Sequence, residues 1–236
     1  MRYLILSDVH GNAAALEAVL EQAGSAFDQV VCLGDIVGYG PDPNQATERI
    51  RSLKPVAVVR GNHDKACCGV TNAGDFNAIA RTAALWTRQQ LTPENLKYLQ
   101  NLAQGPVSVG GFQIVHGSPL DEDEYLFTVR EAGENLAAME GPVVFFGHTH
   151  LQGGFWADAD DRVGEFALEL DEGAASVELP LEEGAKYLIN PGSIGQPRDG
   201  DSRAGFAFYD DEKRVVEYWR VPYDIAATQE HMREAG

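Results

Sequence analysis

The sequence is poor in basic residues, in cysteine and in long apolar runs, and each shortage closes off a class of protein. Eighteen lysines and arginines face 36 aspartates and glutamates, a formal charge of −18. Nonspecific binding to nucleic acid is therefore not expected, because it needs a basic face to neutralise phosphates. The three cysteines, Cys32, Cys67 and Cys68, cannot all pair within one chain and lack metal-site spacing, which suits a reducing compartment. Cys32 lies in an apolar run and reads as core, and the adjacent Cys67 and Cys68 read as packing residues rather than a redox pair. No stretch approaches the ~20 apolar residues that a membrane-crossing helix requires, so no membrane partner is expected. The apolar opening reaches Asp8 too soon for a signal peptide, and a cytoplasmic location follows as the expectation. Linkers rich in Pro, Gly or Ser are missing too, as are internal repeats, so residues 1–236 are expected to form one domain.

What is present is a repeating grammar. Tyr3 to Leu6, Val30 to Leu33 and Val56 to Val59 are short, continuous apolar runs, as in strands buried on both faces. Between them lie a helix capped by Asn12 and stopped by Gly24, and a second helix over Asn44 to Leu53. Strand, helix, strand, helix, strand predicts an α/β sheet with right-handed crossovers. Further on come helices over 75–90, after Thr92 and over 130–139, a hairpin over 107–115, and a buried strand from Val143 to Phe146. Beyond residue 150 the runs 155–156, 164–170, 174–179, 186–189, 205–209 and 215–219 read as successive strands of a second, largely antiparallel sheet packed on the first. A loosely held helix is expected over 224–236.

Five of the six histidines, His10, His63, His116, His148 and His150, directly follow a predicted strand, and Asp8, Asp35 and Asn62 occupy equivalent positions. His231, in the tail, reads as surface. Any single strand-end histidine is ordinarily structural, but open α/β sheets gather ligands at the carboxyl ends of their strands, so these residues should converge. If extended, residues at i and i+2 share a face, which would let Asp8 with His10, and His148 with His150, each serve one site. Imidazole and carboxylate without thiolate suit Mn²⁺, Fe²⁺ or Zn²⁺. The donors outnumber what one tetrahedral ion needs. Two divalent ions roughly 3.5–4 Å apart, bridged by one carboxylate, would use them all.

Asp8-Val9-His10, Gly34-Asp35-Ile36-Val37-Gly38, Gly61-Asn62-His63-Asp64, His116 and Gly147-His148-Thr149-His150, in this order, resemble the motifs of the calcineurin-like metallophosphoesterases. Asn190-Pro191-Gly192-Ser193 extends the resemblance to the small bacterial and archaeal phosphoesterases of that superfamily. It implies an α/β fold, a four-layer α/β/β/α sandwich of two mixed sheets with flanking helices. It further implies one metal on Asp8, His10, Asp35 and His150 and a second on Asp35, Asn62, His116 and His148, with Asp35 bridging. The activity implied is hydrolysis of a phosphodiester or phosphomonoester by a metal-bridging hydroxide. His63, left without a metal, would assist the leaving group or the phosphoryl oxygens, with Asp64 fixing its tautomer.

Around that centre, Arg60 and Arg198 are the nearest basic residues and are candidates to contact a small phosphorylated substrate. Arg198 could equally pair with Asp199 or Asp201. Tyr39 reads either as a pocket wall or as an ordinary turn residue. The acidic run Asp121 to Glu124 reads as a solvated loop, and the short segment from Cys67 to Gly74 leaves little room for an elaborate lid. Protein phosphatase and dinucleoside polyphosphate hydrolase are alternative activities. A non-catalytic binding scaffold would be marked by lost ligands, and none is lost.

Overall fold

In the structure, a computed structural model describing residues 1–168 and 174–235, the chain begins with strand β1 (Arg2–Leu6), helix α1 (Ala13–Ala23), β2 (Gln29–Cys32), α2 (Pro43–Ser52) and the short β3 (Ala57–Val58). Asn12 caps α1 by accepting from the Ala15 amide, and Pro43 opens α2 where its missing N–H costs nothing. The helices α3 (Asn62–Cys68), α4 (Ala78–Gln90) and α5 (Pro93–Gln100) follow. Then come the hairpin β4 (Val107–Val109) and β5 (Phe112–Ile114), α6 (Val129–Ala138) and β6 (Val143–Phe145). The chain finishes with β7 (Gly153–Ala157), β8 (Val163–Ala167), β9 (Ser176–Pro180), β10 (Lys186–Asn190), β11 (Ala204–Asp210), β12 (Val215–Val221) and α7 (Ile225–Ala235). Part of the strand expected over 164–170, and the last residue of the tail, lie outside the described residues.

These strands form two mixed six-stranded sheets, ordered β3-β2-β1-β11-β12-β9 and β4-β5-β6-β10-β7-β8. The late strands are therefore dealt to both sheets, which corrects the expectation that they would build the second one alone. β11 pairs antiparallel with β1 along Arg2 to Ile5, and β10 pairs parallel with β6. The alternation of strand residues explains the layering. Leu4 and Leu6 of β1 pack into a core beneath the helices, whereas Tyr3 and Ile5 point the other way, into a core shared with Phe112, Phe145 and Ile189 of the second sheet. Val144 and Leu188 of that second sheet face outward under α6, with Ala132 and Leu136. Three cores between four layers leave every central strand buried on both faces, which is why those strands are continuously apolar in sequence.

All three cysteines are buried and unpaired, and burial pushes the Cys32 thiol up to about 12. Among the described residues, no helix is long and apolar enough to cross a membrane.

Candidate metal centre

The carboxyl ends of β1, β2, β3, β5, β6 and β10 all open on one edge of the sandwich, where their loops are tied together by main-chain hydrogen bonds. The Asp8 amide donates to Gly34 O at 3.1 Å, His10 N to Asp35 O at 2.9 Å, and Gly147 N to His116 O at 2.8 Å. Gly61 is required here, since a Cβ in its place would land on the Asp35 carboxylate.

Asp8, His10, Asp35 and His150 form one buried group whose donor atoms lie within 4.8 Å of one another; Asp35, His116 and His148 form a second. Asp35 Oδ2 belongs to both, 3.7 Å from His10 Nε2 and 3.4 Å from His116 Nε2. Asn62 Oδ1 joins the second group, 3.2 Å from His116 Nε2. The structure thus brings together all seven residues singled out as metal ligands, but not by the extended geometry assumed for them. Asp8, His10, Asp35, His148 and His150 all adopt left-handed φ, between 50° and 66°. Such backbone is uncommon outside glycine and costs energy at each position, so the loops must be held by their surroundings.

The ring orientations test whether metal ions fit. His10 Nδ1 faces Val37 O at 3.3 Å, His116 Nδ1 faces Leu33 O at 2.8 Å, His150 Nδ1 faces Gln196 O at 2.6 Å, and His148 Nε2 faces Asp123 O at 3.1 Å. A neutral ring that donates its outer N–H to such a carbonyl presents a lone pair at its inner nitrogen. Those inner nitrogens meet head-on, His10 with His150 at 3.0 Å and His116 with His148 at 3.1 Å. Two facing lone pairs repel unless a cation lies between or beside them, so the donor set fits metal ions and the carbonyls fix the tautomers such ligands need. The electrostatics agree. Burial disfavours charge on His116, yet Asp35 and then Asp8 outweigh it and lift its pKa to about 10. Burial and then His116 push His148 down to about 3. The two buried carboxylates therefore demand compensating positive charge at this place.

His63 stands beside both groups without joining either. Its ring is packed between Tyr39 and Phe76, with centroids at 4.5 and 4.6 Å, and edge-on to His10 at 4.9 Å. Nδ1 is buried without a hydrogen-bond partner, against Gly38. Asp64 does not orient this ring, contrary to the sequence expectation. Its carboxylate accepts from the amides of Ile36, Val37 and Gly61 at 2.9, 3.2 and 3.0 Å, stitching the loop after β2 to the start of α3. Burial and then Asp35 raise the Asp64 carboxyl to about 7. Burial is also the main reason His63 titrates below its ordinary value.

Arg60 is directed away from the centre, donating to Glu122 at 2.9 and 2.7 Å and to Gln104 at 3.0 Å. The acidic run is only partly a solvated loop: Asp121 and Asp123 are exposed, but Glu122 and Asp123 hold the buried Lys65 at 3.0 and 2.6 Å, and Glu124 accepts from Asn135 at 3.0 Å. Tyr39, with φ of 58°, is a wall of the site, while Arg198 lies at its rim. Sequence reading missed Phe76, Lys65, Gln196 and Tyr125, the last stacked on His148 at 3.7 Å. None carries a local signal, since an aromatic in a loop or a lysine on a short helix reads as surface until the fold turns it inward. A cavity of about 210 Å³ opens beside the second group, lined by Asn62, Lys65, Phe76, Asp123, Tyr125 and His148 among others, with Thr71 to Gly74 supplying one wall. His231 pairs with Asp42 at 3.2 Å on the surface.

Two packed mixed sheets whose strand-end loops deliver linked histidine and carboxylate groups define the metallophosphoesterase type of α/β/β/α sandwich. The chain belongs to the calcineurin-like phosphoesterase superfamily, whose domain model matches residues 1–214. It is 37% identical over 235 residues to the uncharacterized protein MJ0912 of Methanocaldococcus jannaschii, covering 96% of this chain and 89% of that one. The crystal structure of a metallophosphoesterase from Sphaerobacter thermophilus, 42% identical, superposes with a TM-score of 0.86 over 100% of this chain and 95% of the other. The phosphodiesterase YfcE of Escherichia coli is 24% identical over 212 residues, 85% of this chain and 83% of its own.

Proposed function

We propose that this chain is a two-metal-dependent phosphoesterase that hydrolyses a phosphodiester or phosphomonoester of a small alcohol. The observation that carries the reading is the pair of donor groups sharing Asp35, whose inner ring nitrogens face each other, with a cavity beside the second group. Asp8, His10, Asp35 and His150 would hold one ion; Asp35, Asn62, His116 and His148 would hold the other. Divalent ions so held, Mn²⁺, Fe²⁺ or Zn²⁺, supply Lewis acidity and lower the pKa of bound water towards roughly 7. The chain's own residues bind and orient. His63, held by Tyr39 and Phe76, would donate a hydrogen bond to a phosphoryl or leaving oxygen. The cavity of about 210 Å³ suits the alcohol part of a small ester rather than a folded protein. A relative described as a phosphodiesterase supports ester hydrolysis as the reaction class.

The test combines metal analysis with a hydrolysis screen. Protein loaded with excess Mn²⁺ and desalted is expected to carry two ions per chain and to cleave p-nitrophenyl phosphate or bis-p-nitrophenyl phosphate. One ion per chain, or no hydrolysis of either ester, would sink the proposal. Turnover confined to phosphopeptides or to dinucleoside polyphosphates would move the chain to those activities instead.

A further inference from the structure

Arg198 is an exposed arginine in a chain with twice as many acids as bases, yet no described carboxylate lies within 4 Å of its guanidinium. The two nearest acids in sequence are engaged elsewhere. Asp199 is bound by the buried Arg220 and by the Gln152 amide, and Asp201 by Arg203 at 2.6 Å. Arg198 is instead steered by neutral groups: its amide donates to His150 O at 3.3 Å and its guanidinium to Gln196 Oε1 at 2.7 Å. Gln196 is also the residue whose carbonyl fixes His150. Tyr39 packs on His10 and His63, Tyr125 on His148. Arg198 is thus tethered beside His150 of the first donor group, through its own amide and through Gln196, with its charge unspent there.

The cavity on the other side has no comparable cation. Its carboxylates Asp75 and Asp123 line it, and its one lysine, Lys65, is neutralised by Glu122 and Asp123. A second phosphate is unwelcome there, whereas an uncharged alcohol is not.

We propose, resting on the phosphoesterase reading above, that Arg198 is the residue that reads the charge of the phosphoryl group and gives this site a preference for dianionic phosphomonoesters over monoanionic diesters. A monoester carries its second charge above a pKa of about 6. That extra charge sits on a terminal phosphoryl oxygen, where a planar guanidinium donates two hydrogen bonds, and a diester replaces that oxygen's charge with an ester carbon.

R198Q and R198K are compared with the unmodified protein, all loaded with Mn²⁺, at pH 8. Metal content and melting temperature are expected to be unchanged, since Arg198 touches no carboxylate. In R198Q, kcat/KM on p-nitrophenyl phosphate is expected to fall roughly 10- to 100-fold, the worth of a hydrogen bond to a charged group, and to fall less on bis-p-nitrophenyl phosphate. Calorimetry should show inorganic phosphate binding weakened in R198Q by a similar factor, and R198K should recover part of both losses. Equal losses on the two esters, or unchanged phosphate affinity, would overturn the role of Arg198. The phosphate measurement decides this even if neither ester is a substrate, in which case the phosphoesterase reading alone would fail.

Discussion

The His63 ring is held by shape, between two aromatic faces and against the backbone at Gly38, and its buried Nδ1 has no hydrogen-bond partner among the described residues. Burial holds the ring below its ordinary pKa and so favours the neutral form. A neutral imidazole is a hydrogen-bond donor rather than a proton donor. H63Q should accordingly keep both metals and lose roughly 10²- to 10³-fold in kcat, the worth of one preorganised donor, by similar factors on p-nitrophenyl and alkyl phosphates. Steady-state kinetics on the two substrates settles it. A loss concentrated on alkyl esters would show instead that His63 protonates the leaving oxygen, and loss of an ion would make it a ligand. The Gly-Asn-His-Asp stretch made all this half legible. Its residue types announced a site, but that Asp64 would turn back to cap its own helix was invisible, because the choice between partners depends on where the loop after β2 lies.

At the scale of elements, the segment from Asp121 to Glu124 behaves as a clamp. Lys65 on α3 draws it inward, and the carbonyl of Asp123 then receives the outer nitrogen of His148. Such carbonyl partners typically change metal affinity by roughly 10- to 100-fold when lost. K65M should therefore weaken one of the two ions by about that factor and spare the other, read by titrating metal-free protein with Mn²⁺. Equal weakening of both ions would mean that α3 as a whole had moved. A run of four acids is ordinarily solvated. What overrides that here is a lysine 57 and 58 residues away in sequence, with Arg60 beside it.

Across the whole molecule, the donor cluster is expected to act as a rivet once it holds metal, because its residues come from loops of both sheets. Without ions, two buried carboxylates and four facing imidazoles must find other compensation. An ion present at 100 times its Kd stabilises by about 2.7 kcal/mol. For a chain of this size that corresponds to a melting temperature roughly 5–10 °C higher than in chelator, measured by scanning calorimetry with and without Mn²⁺. An unchanged transition would mean that the sandwich holds the loops unaided. The arrangement of sheets was the least legible feature at this scale. Runs of buried strand announced how many strands there are and that both faces are covered, but pairing is chosen by contacts between residues such as Leu4 and Phe208, 204 positions apart.

That Asp8, His10, Asp35, Asn62, His116, His148 and His150 are metal donors is what the resemblance of the motifs implies; by itself, the sequence determined the class of the fold and the strand ends where these residues gather. Those depend on residue type and on order along the chain, which strand periodicity and strand-end placement translate directly into position. Only the tertiary structure decided that the loops close through left-handed backbone, that Asp64 serves the frame rather than His63, and that Arg60 is occupied while Arg198 has no carboxylate partner among the described residues. Each of these is a competition among partners distant in sequence. It is settled by packing of the two sheets, which brings some charges within hydrogen-bond reach and carries others out of it.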